Sequence, residues 1–479
     1  MSLIRRCLPI ALAAGFAGLW PTSLRADYLD DIGYTGLVAE LQAAGKTTPD
    51  GSGVSVTQTE ASTGTSTSGG VTYYSYLPDS SLFTGVTITN ASASAYPATF
   101  SGHANTVGQY LFGDTSMARG ISSVTAYLAD DWIGSGFLNS TSGISHVAPK
   151  VENNDVLNAS WVGSTGSTAN DKIVLNRLDY AIQRDDFVAV VATNNGSTPQ
   201  NLPAGAYNAI SVGLTNGGHA SGTSTVNPSV TFPHLVVPEG ATSWATPVVS
   251  SAAALLIQTA RASTTTSTNG SKSEAIKAIL LAGATKDEFA SWSRTDTAPL
   301  DATYGAGELN VQNSYDIMTA GEQTANSAVA ATGWDFGSIS RTATTTYSFD
   351  LSASGNVSIV LTWNAIYTGS NYNSLSLGLA NLDLYLYAVD AGGGQTLVQQ
   401  SVSTGNIEDI WATNLSAGDY IMKVTYGSNS SGSLSSIEYA LAWQTTSLAV
   451  TPVPESAWTA GGIVAVLVVV VSVRRRLLA

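Results

Sequence analysis

The spacing of apolar residues along the chain changes near residue 320. From Gly51 to about Gly321, short apolar runs such as FVAVVAT alternate with longer stretches of helical spacing such as SEAIKAILLAGA. Strands that alternate with helices are typical of a parallel sheet with helices on both of its faces. The sequence therefore predicts a mostly parallel α/β domain over residues 51–320, after an N-terminal segment, residues 27–50.

A period of two dominates from Trp334 to about Thr446. In LDLYLY, residues 382–387, leucines alternate with polar or aromatic residues, and turn residues recur between such runs. This pattern is typical of strands with one buried face. It predicts a β-sandwich domain over residues 334–446. Asp383 and Glu408 in this domain are candidate metal ligands, but solvated strand carboxylates are the interpretation that we favour.

One helix start carries a local signal. Ser271 and Glu274 have the Ser-x-x-Glu spacing of a capping box, in which the two side chains satisfy free N–H groups of the first turn. The spacing predicts that the helix of SEAIKAILLAGA begins at Ser271.

The first 26 residues have the pattern of a secretory signal peptide. Two arginines precede an apolar stretch over residues 8–20, and SLRA, residues 23–26, follows it with a cleavage site expected near Ala26. We therefore expect an exported protein. Its one cysteine, Cys7, lies in the segment that would be removed, so we expect no disulfide and no thiolate site in the mature chain.

The C-terminal residues predict a membrane span. Residues 457–473 are uncharged and are followed by three arginines. This length is near the lower limit for spanning a bilayer, and flanking arginines stay on the cytoplasmic side. With the preceding VPES, residues 453–479 resemble the PEP-CTERM sorting tails of exported bacterial proteins, although Ser456 stands where that family usually has a proline. The resemblance implies attachment to the cell envelope or surface and a sorting transpeptidase as a partner.

The charge of the chain excludes one class of partner. The sequence has 19 Lys and Arg residues against 34 Asp and Glu residues, a formal net charge of −15. Nucleic-acid binding depends on clusters of basic side chains that neutralise phosphates, and the body of the chain has no such cluster. Nucleic acid is therefore not an expected partner.

A candidate nucleophile lies in GATSWATPVVSSAAALLIQTA, which begins at Gly240 and changes from small and polar to apolar. Pro247 suits a first helical turn, where its missing N–H would have no intrahelical partner. The sequence predicts a buried helix that begins near Pro247 and ends near Ala260. Ser243 would then lie among unpaired N–H groups, which favour negative charge and hence acyl chemistry. A helix cap is the alternative role for this serine.

A serine nucleophile needs a base, which is usually a histidine held by a carboxylate. Of the four histidines, His103 lies in SGHANTVGQYLFG, where Val107, Tyr110 and Leu111 have helical spacing. We expect His103 at the start of a second helix, open to a cleft. A surface or capping histidine is the alternative.

Together these stretches resemble the subtilisin-like serine proteases (subtilases). GATSWATP resembles the Gly-Thr-Ser-x-Ala-x-Pro motif of the nucleophile in that family, and HANTVG resembles its His-Gly-Thr-His-Val-Ala motif. VVATNNGS resembles the strand and loop that carry the oxyanion asparagine, a role that falls on Asn194. The resemblance covers about residues 45 to 320. It implies a subtilisin-like fold, with Ser243 as nucleophile and His103 as base.

The acid is where the sequence departs from the family. GSGVSVTQTEAS resembles the first core strand, whose end normally carries an aspartate, and Glu60 occupies that position. Glutamate has the same charge and one more methylene, and Ser-His-Glu triads operate on other hydrolase folds. The resemblance thus implies a triad of Ser243, His103 and Glu60. The alternative is a surface carboxylate at Glu60 and a non-catalytic surface or adhesion protein on a subtilase scaffold.

The resemblance implies an exported serine endopeptidase that acts on proteins or peptides. This chemistry requires no cofactor and no metal; subtilases often bind structural calcium, for which the sequence assigns no ligands. Stretches such as ANLDLYLYAVD and SAGDYIMKV resemble the pre-peptidase C-terminal sandwiches that follow many secreted proteases. Such a module is expected to stabilise or target the enzyme, or to bind surface polysaccharide.

Overall fold

The computed structural model describes residues 24–141, 143–263, 268–427 and 431–447. Most of the predicted signal peptide, and the whole predicted sorting tail with its span at residues 457–473, lie outside these ranges. Within them, no helix has both the length and the apolar composition that a membrane crossing requires.

Helices and strands alternate along the first part of the chain. The helices are α1 (Leu24–Asp31), α2 (Tyr34–Ala43), α3 (Gly102–Leu111), α4 (Ala129–Asp131), α5 (Thr168–Asp185), α6 (Thr242–Ala262), α7 (Ser273–Gly283) and α8 (Val311–Ala320). The strands are β1 (Ser55–Glu60), β2 (Thr65–Ser68), β3 (Val71–Leu77), β4 (Thr87–Asn90), β5 (Ala98–Phe100), β6 (Ser123–Leu128), β7 (Val156–Ala159), β8 (Val188–Ala192), β9 (Ile210–Leu214), β10 (Gly222–Thr223), β11 (Thr231–Phe232) and β12 (Leu235–Val237).

A seven-stranded sheet forms the centre of this part, in the order β12-β9-β8-β7-β1-β6-β4, and all of its pairs are parallel. Successive strand residues point to opposite faces. In β8, Val188 and Val190 pack in the core that contains α6, whereas Ala189 and Val191 pack in the core that contains α5. Helices thus cover both faces, which explains the continuous apolar runs. The predicted parallel α/β core is confirmed.

Helix α6 begins at Thr242, so the predicted start near Pro247 is wrong. The cap is supplied by another loop, because the Asn195 side-chain oxygen accepts the N–H of Thr242 at 2.9 Å. The helix therefore starts upstream of the proline, which lies inside it. Its buried body agrees with the prediction, since residues 245–257 are all buried.

Helix α7 shows the same kind of difference. It begins at Ser273, so its N-cap residue is Lys272, whose side chain makes no capping hydrogen bond. The predicted capping box at Ser271 is therefore wrong. The N–H of Ser273 instead donates to the Asp186 carboxylate at 3.0 Å. A partner from a distant part of the chain again replaces the local signal.

The helices before β1 pack beside α8. Val311 donates its N–H to the Ile32 carbonyl at 2.7 Å, and Ile32 is fully buried. After α2, the Gln258 side chain of α6 accepts the N–H groups of Asp50 and Gly51, both at 2.7 Å. These contacts hold the entrance to β1 against α6.

A β-rich region follows the α/β core, as predicted. Its strands are β13 (Ser327–Ala328), β14 (Gly333–Ser340), β15 (Thr344–Leu351), β16 (Gly355–Thr362), β17 (Ile366–Thr368), β18 (Ser376–Gly378), β19 (Leu382–Val389), β20 (Gln395–Ser401), β21 (Ile407–Leu415), β22 (Gly418–Tyr426) and β23 (Ser436–Ser447). One sheet has the order β13-β15-β22-β19-β20 and another has the order β14-β23-β16-β21. Residues of both sheets share one hydrophobic cluster, so the two sheets pack face to face.

The β-rich region is docked on the α/β core through buried contacts. Trp334, Val360 and Ala442 belong to the same hydrophobic cluster as α7. Polar groups are paired across the contact as well: the Asn364 amide donates to the Glu274 carboxylate at 2.7 Å. Burial raises the pKa of Glu274 to about 7. The two parts therefore share a core and a hydrogen-bonded polar contact.

The prediction of solvated strand carboxylates is wrong for Glu408. This side chain is fully buried and accepts hydrogen bonds from the Ser401 hydroxyl and from the N–H and hydroxyl of Ser403. Burial raises its pKa to about 8. Asp383 is half-buried, and its carboxylate accepts a 3.4 Å hydrogen bond from the Tyr385 hydroxyl. Glu408 thus belongs to the packing of the region.

Candidate active site

Glu60 ends β1, which lies in the middle of the parallel sheet between β7 and β6. The side chain is 1% exposed, because strands flank it on both sides and α3 lies above it. The alternative of a surface carboxylate is therefore wrong. Both carboxylate oxygens have partners: Oε2 lies 2.7 Å from His103 Nδ1, and Oε1 accepts the Gln58 amide at 2.8 Å.

His103 lies in the first turn of α3. Ser101 is the N-cap residue, and its hydroxyl accepts the N–H of Ala104, so the alternative of a capping role for His103 is wrong. The imidazole is 27% exposed, and its ring centroid lies 5.1 Å from that of Trp244. An Nδ1–H that donates to Glu60 leaves Nε2 as the basic nitrogen. His103, oriented by Glu60, can thus act as a base through Nε2, since the imidazole is partly exposed to solvent.

Two opposing influences act on the pKa of His103. Burial lowers it, whereas the negative charge of Glu60 and the hydrogen bond to that carboxylate raise it. The net result lies above the usual value of a histidine. Among the described residues, Glu60 is the one charged group that shifts this pKa appreciably. The protonated imidazole is therefore stabilised by a single ion pair.

Ser243 is the second residue of α6, as expected for a serine at a helix start. Its hydroxyl donates to the Ser160 carbonyl at 3.5 Å and makes no hydrogen bond to His103. Its backbone N–H has no hydrogen-bond partner among the described residues, because it belongs to the first helical turn. Trp244, the next residue, contacts His103, which brings the start of α6 beside the start of α3. Ser243 thus offers both a hydroxyl and a backbone N–H without a partner among the described residues.

Asn194 follows β8, in a loop held against the start of α6. Thr193 and Asn195, on either side of it, both bind Thr242: the Thr193 carbonyl accepts the threonine hydroxyl at 2.7 Å, and the Asn195 side chain accepts the N–H. Asn194 is half-buried, and one of its amide hydrogens donates to the Thr198 carbonyl at 2.8 Å. Asn194 therefore lies between two residues that both contact Thr242, the residue that precedes Ser243.

Several polar residues beneath the site were not predicted. Asn158 of β7 donates to the Ser160 hydroxyl at 3.0 Å and accepts the Ser250 hydroxyl at 2.9 Å. Gln58 of β1 is paired with Asn158 across the sheet, and both are fully buried. For Asn158, an asparagine inside the apolar strand VLNA was a usable sequence signal, whereas Gln58 lies among other polar residues of β1 and had none.

The remaining histidines lie elsewhere. His219 and His234 are buried, and each accepts a backbone N–H through Nδ1, whereas His146 is exposed. The part of the chain that the structure describes contains no group of three or more His, Cys, Asp or Glu side chains that could hold a metal ion. Structural calcium stays a prediction.

Comparisons with known proteins bear on this site. No curated protein matches the chain significantly. Among solved structures, a protease from Pseudoalteromonas arctica is similar with 15% identity and a TM-score of 0.34, over 57% of this chain and 91% of that one. The pre-peptidase C-terminal domain of a collagenase from Bacillus anthracis is similar with 16% identity and a TM-score of 0.18, over 26% of this chain and 97% of that one.

A family model gives the more specific match. It covers residues 122–307, which include Asn194 and Ser243, whereas Glu60 and His103 precede it. The matched residues run from β6 through α6 and α7 to the segment before α8. The chain thus contains, at residues 122–307, a domain that matches the subtilase family of serine peptidases (peptidase S8).

Proposed function

We propose that the chain is a serine endopeptidase in which Ser243, His103 and Glu60 form a catalytic triad. The observation that carries the proposal is the 2.7 Å contact between His103 Nδ1 and the buried Glu60 carboxylate, beside the helix start that bears Ser243. A partly exposed imidazole paired with a buried carboxylate is the arrangement that orients a general base. The subtilase match of the nucleophile region supports the same reaction class.

The reaction begins when Ser243 Oγ attacks the carbonyl carbon of a peptide bond and its proton passes to His103 Nε2. The imidazolium then gives this proton to the leaving amine, and an acyl-enzyme remains on Ser243. A water molecule then attacks the acyl-enzyme, with His103 again accepting and returning the proton, and the carboxylic acid product leaves Ser243. Throughout, Glu60 fixes the Nδ1–H tautomer and stabilises the imidazolium.

The oxyanion would be stabilised by two N–H donors. One is the free backbone N–H of Ser243, which the start of α6 aims out of the helix. The other is the amide of Asn194, which has a second hydrogen besides the one bound to Thr198. The Ser243 N–H lies at a helix start, where developing negative charge is favoured.

We further propose that the enzyme is exported and acts on proteins or peptides at the cell envelope or surface. The signal-peptide pattern and the apolar tail with its arginines support this location. A sorting transpeptidase would process the tail, and the β-rich region could add binding to surface polysaccharide. Truncation after Thr451 should release an active protein into the medium; unchanged attachment would assign retention to another segment.

A fluorophosphonate probe tests the function most directly, because it labels only a serine that a working base activates. We expect labelling of the full chain and no labelling of Ser243→Ala. Ser251→Ala is the matched control, because its hydroxyl bonds within α6 to the Val248 carbonyl, and it should be labelled like the parent. Labelling that survives Ser243→Ala would overturn the assignment.

A non-catalytic surface protein on the same scaffold is the second candidate. The observation in its favour is that the Ser243 hydroxyl donates to Ser160 rather than to His103. Catalytic hydrogen bonds are often loose without substrate and tighten in the complex, so we favour the peptidase. A folded parent protein that takes up no probe would favour the non-catalytic function.

A further inference from the structure

A glutamate at position 60 is harder to hold in one orientation than an aspartate would be. Its side chain has one more rotatable bond, and the last torsion of a glutamate is broad, so torsional preference does not fix the carboxylate plane. Burial of such a side chain in one conformation also costs conformational entropy. An orienting acid must nevertheless hold one oxygen at Nδ1. Some neighbouring group therefore has to fix the other oxygen.

Gln58 occupies the position that can do this. It lies two residues before Glu60 in β1, so both side chains point to the same face of the sheet. Its Nε2 donates to Glu60 Oε1 at 2.8 Å, while Glu60 Oε2 faces His103 Nδ1. One carboxylate is thus held at both oxygens by two side chains.

The same amide also reaches the histidine helix. Nε2 donates its second hydrogen to the carbonyl of Ala104, the residue after His103, at 3.0 Å. One fully buried side chain therefore connects the acid, its strand and the first turn of α3. It fixes the separation between Glu60 and the backbone that carries the base.

The orientation of the amide follows from its partners. Both groups facing Nε2 are acceptors, a carboxylate oxygen and a carbonyl, so the reversed amide would place oxygen against oxygen. In the observed orientation, Oε1 is buried and has no hydrogen-bond partner among the described residues. An unsatisfied buried acceptor is unfavourable. The fold tolerates this unpaired oxygen because both amide hydrogens of Gln58 make hydrogen bonds.

We propose that Gln58 is a positioning residue of the active site, which braces the Glu60 carboxylate against His103 and so allows a glutamate to serve as the triad acid. This inference rests on the proposed peptidase function. Gln58 does not touch the substrate or the reacting atoms. It acts through Glu60 and through the first turn of α3.

The test is a double-mutant cycle in the full chain with Gln58→Leu and Glu60→Gln. Rates are measured on a peptide substrate and normalised to the folded fraction of each variant, determined by circular dichroism and thermal unfolding, so that misfolded protein does not count. Removal of a hydrogen bond to a charged group should lower kcat about tenfold to a hundredfold, with KM little changed. In the Glu60→Gln background the same change should lower kcat by a clearly smaller factor, because no carboxylate remains to be braced and only the contact with the Ala104 carbonyl is lost.

A second measurement separates positioning from packing. If Gln58→Leu loosens the ion pair, the acid limb of the kcat/KM profile should move to lower pH, because Glu60 is the charged group that supports protonated His103. Thr59→Val is the matched control: it removes a buried hydroxyl of β1 that accepts the Trp161 ring N–H at 2.8 Å, on the opposite face of the strand. This control should lose stability without moving the limb.

Equal losses of kcat in both backgrounds, or an unmoved acid limb, would overturn the inference and leave Gln58 as packing alone. If the leucine variant does not fold, Gln58→Met, which has similar length and no donor, serves in its place. The two proposals fail differently. A folded parent without probe labelling defeats the peptidase function, whereas an active parent with an equally active Gln58→Leu defeats only the positioning role.

Discussion

The two halves of the candidate active site are held in place by different kinds of contact. On the nucleophile side, the start of α6 is fixed by the loop after β8, which binds both the N–H and the hydroxyl of Thr242. On the acid–base side, the carboxylate of Glu60 is fixed by two other side chains, those of Gln58 and His103. The family match covers the first half and leaves out the second.

This difference bears on how each half can vary in chemistry. A helix start supplies its N–H groups through backbone geometry, so the nucleophile half depends on where α6 begins. The acid–base half depends on the lengths of the side chains that meet. A longer acid is accommodated if another side chain braces it. The comparison can be sharpened by changes that affect one half at a time.

The largest effect is expected for the acid. Glu60→Gln keeps the shape but offers an amide to Nδ1, which favours the wrong tautomer of His103, so kcat should fall by about 10⁴-fold. Glu60→Asp should recover only part of this loss, since the shorter side chain falls short of a histidine placed for glutamate. Steady-state kinetics on a peptide substrate provide the measurement. A Glu60→Gln variant as active as the parent would place the carboxylate elsewhere.

The two halves also differ in how far the sequence could predict them. Ser243 and Asn194 lie in local motifs, and the parallel order of strands followed from apolar runs between helical stretches. The side-chain contacts that hold the helix starts could not be predicted in the same way. Asn195 caps α6 across a separation of 47 residues, and Asp186 replaces the expected cap of α7 from 87 residues away. Such partners are brought together only by the tertiary fold.

Burial was the other limit. Glu408 stands beside Asp409 in the strand, where a solvated carboxylate pair was the simpler interpretation, yet two serines satisfy it inside the β-rich region. Gln58 likewise has the sequence appearance of an ordinary strand residue. Sequence patterns predict the face of a strand on which a side chain lies. They do not predict which hydrogen-bond partner the tertiary fold brings to that face. The acid–base half depends on such partners, namely the contacts of Glu60 with Gln58 and His103.

The next effect in size is expected at the oxyanion donor. Asn194→Ala should lower kcat by about 10²- to 10³-fold, because one of two donors to the developing charge is lost. Stability should change little, since the half-buried side chain makes one hydrogen bond within its own loop. Kinetics and thermal unfolding on the same preparation test both parts. A variant that loses stability but keeps its rate would remove Asn194 from the mechanism.

A smaller effect is expected in the pH profile. Because the pKa of His103 is raised, kcat/KM of the parent should decline on the acidic side at a pH above the usual histidine value of about 6.5. In Glu60→Gln, burial still lowers this pKa while both raising influences are gone, so the residual activity should decline at a lower pH. The comparison uses kcat/KM profiles, which report the free enzyme. Identical acid limbs would mean that another group titrates.

The same raised pKa affects stability with a defined sign. Its contribution is fully present below the pKa of the unfolded chain and is lost as the pH rises through the folded value. Glu60→Gln should therefore lose more stability relative to the parent at about pH 5.5 than at about pH 9. Thermal unfolding at both pH values measures this. A loss that is equal at both would show that His103 is not the linked group.

The smallest effect is expected for Asn195, the neighbour of the oxyanion candidate. Its side chain touches neither His103 nor Glu60 but accepts the N–H of Thr242 at 2.9 Å, the contact that starts α6. Asn195→Ala should lower the free energy of unfolding by about 1 kcal/mol, as for other lost helix caps. Because the Thr193 carbonyl still binds the Thr242 hydroxyl, kcat should fall much less than in Asn194→Ala. Chemical denaturation and kinetics of the two variants side by side measure this contrast. If Asn195→Ala instead loses rate at full stability, the two asparagines have the opposite roles, and the donor of the nucleophile half must be reassigned.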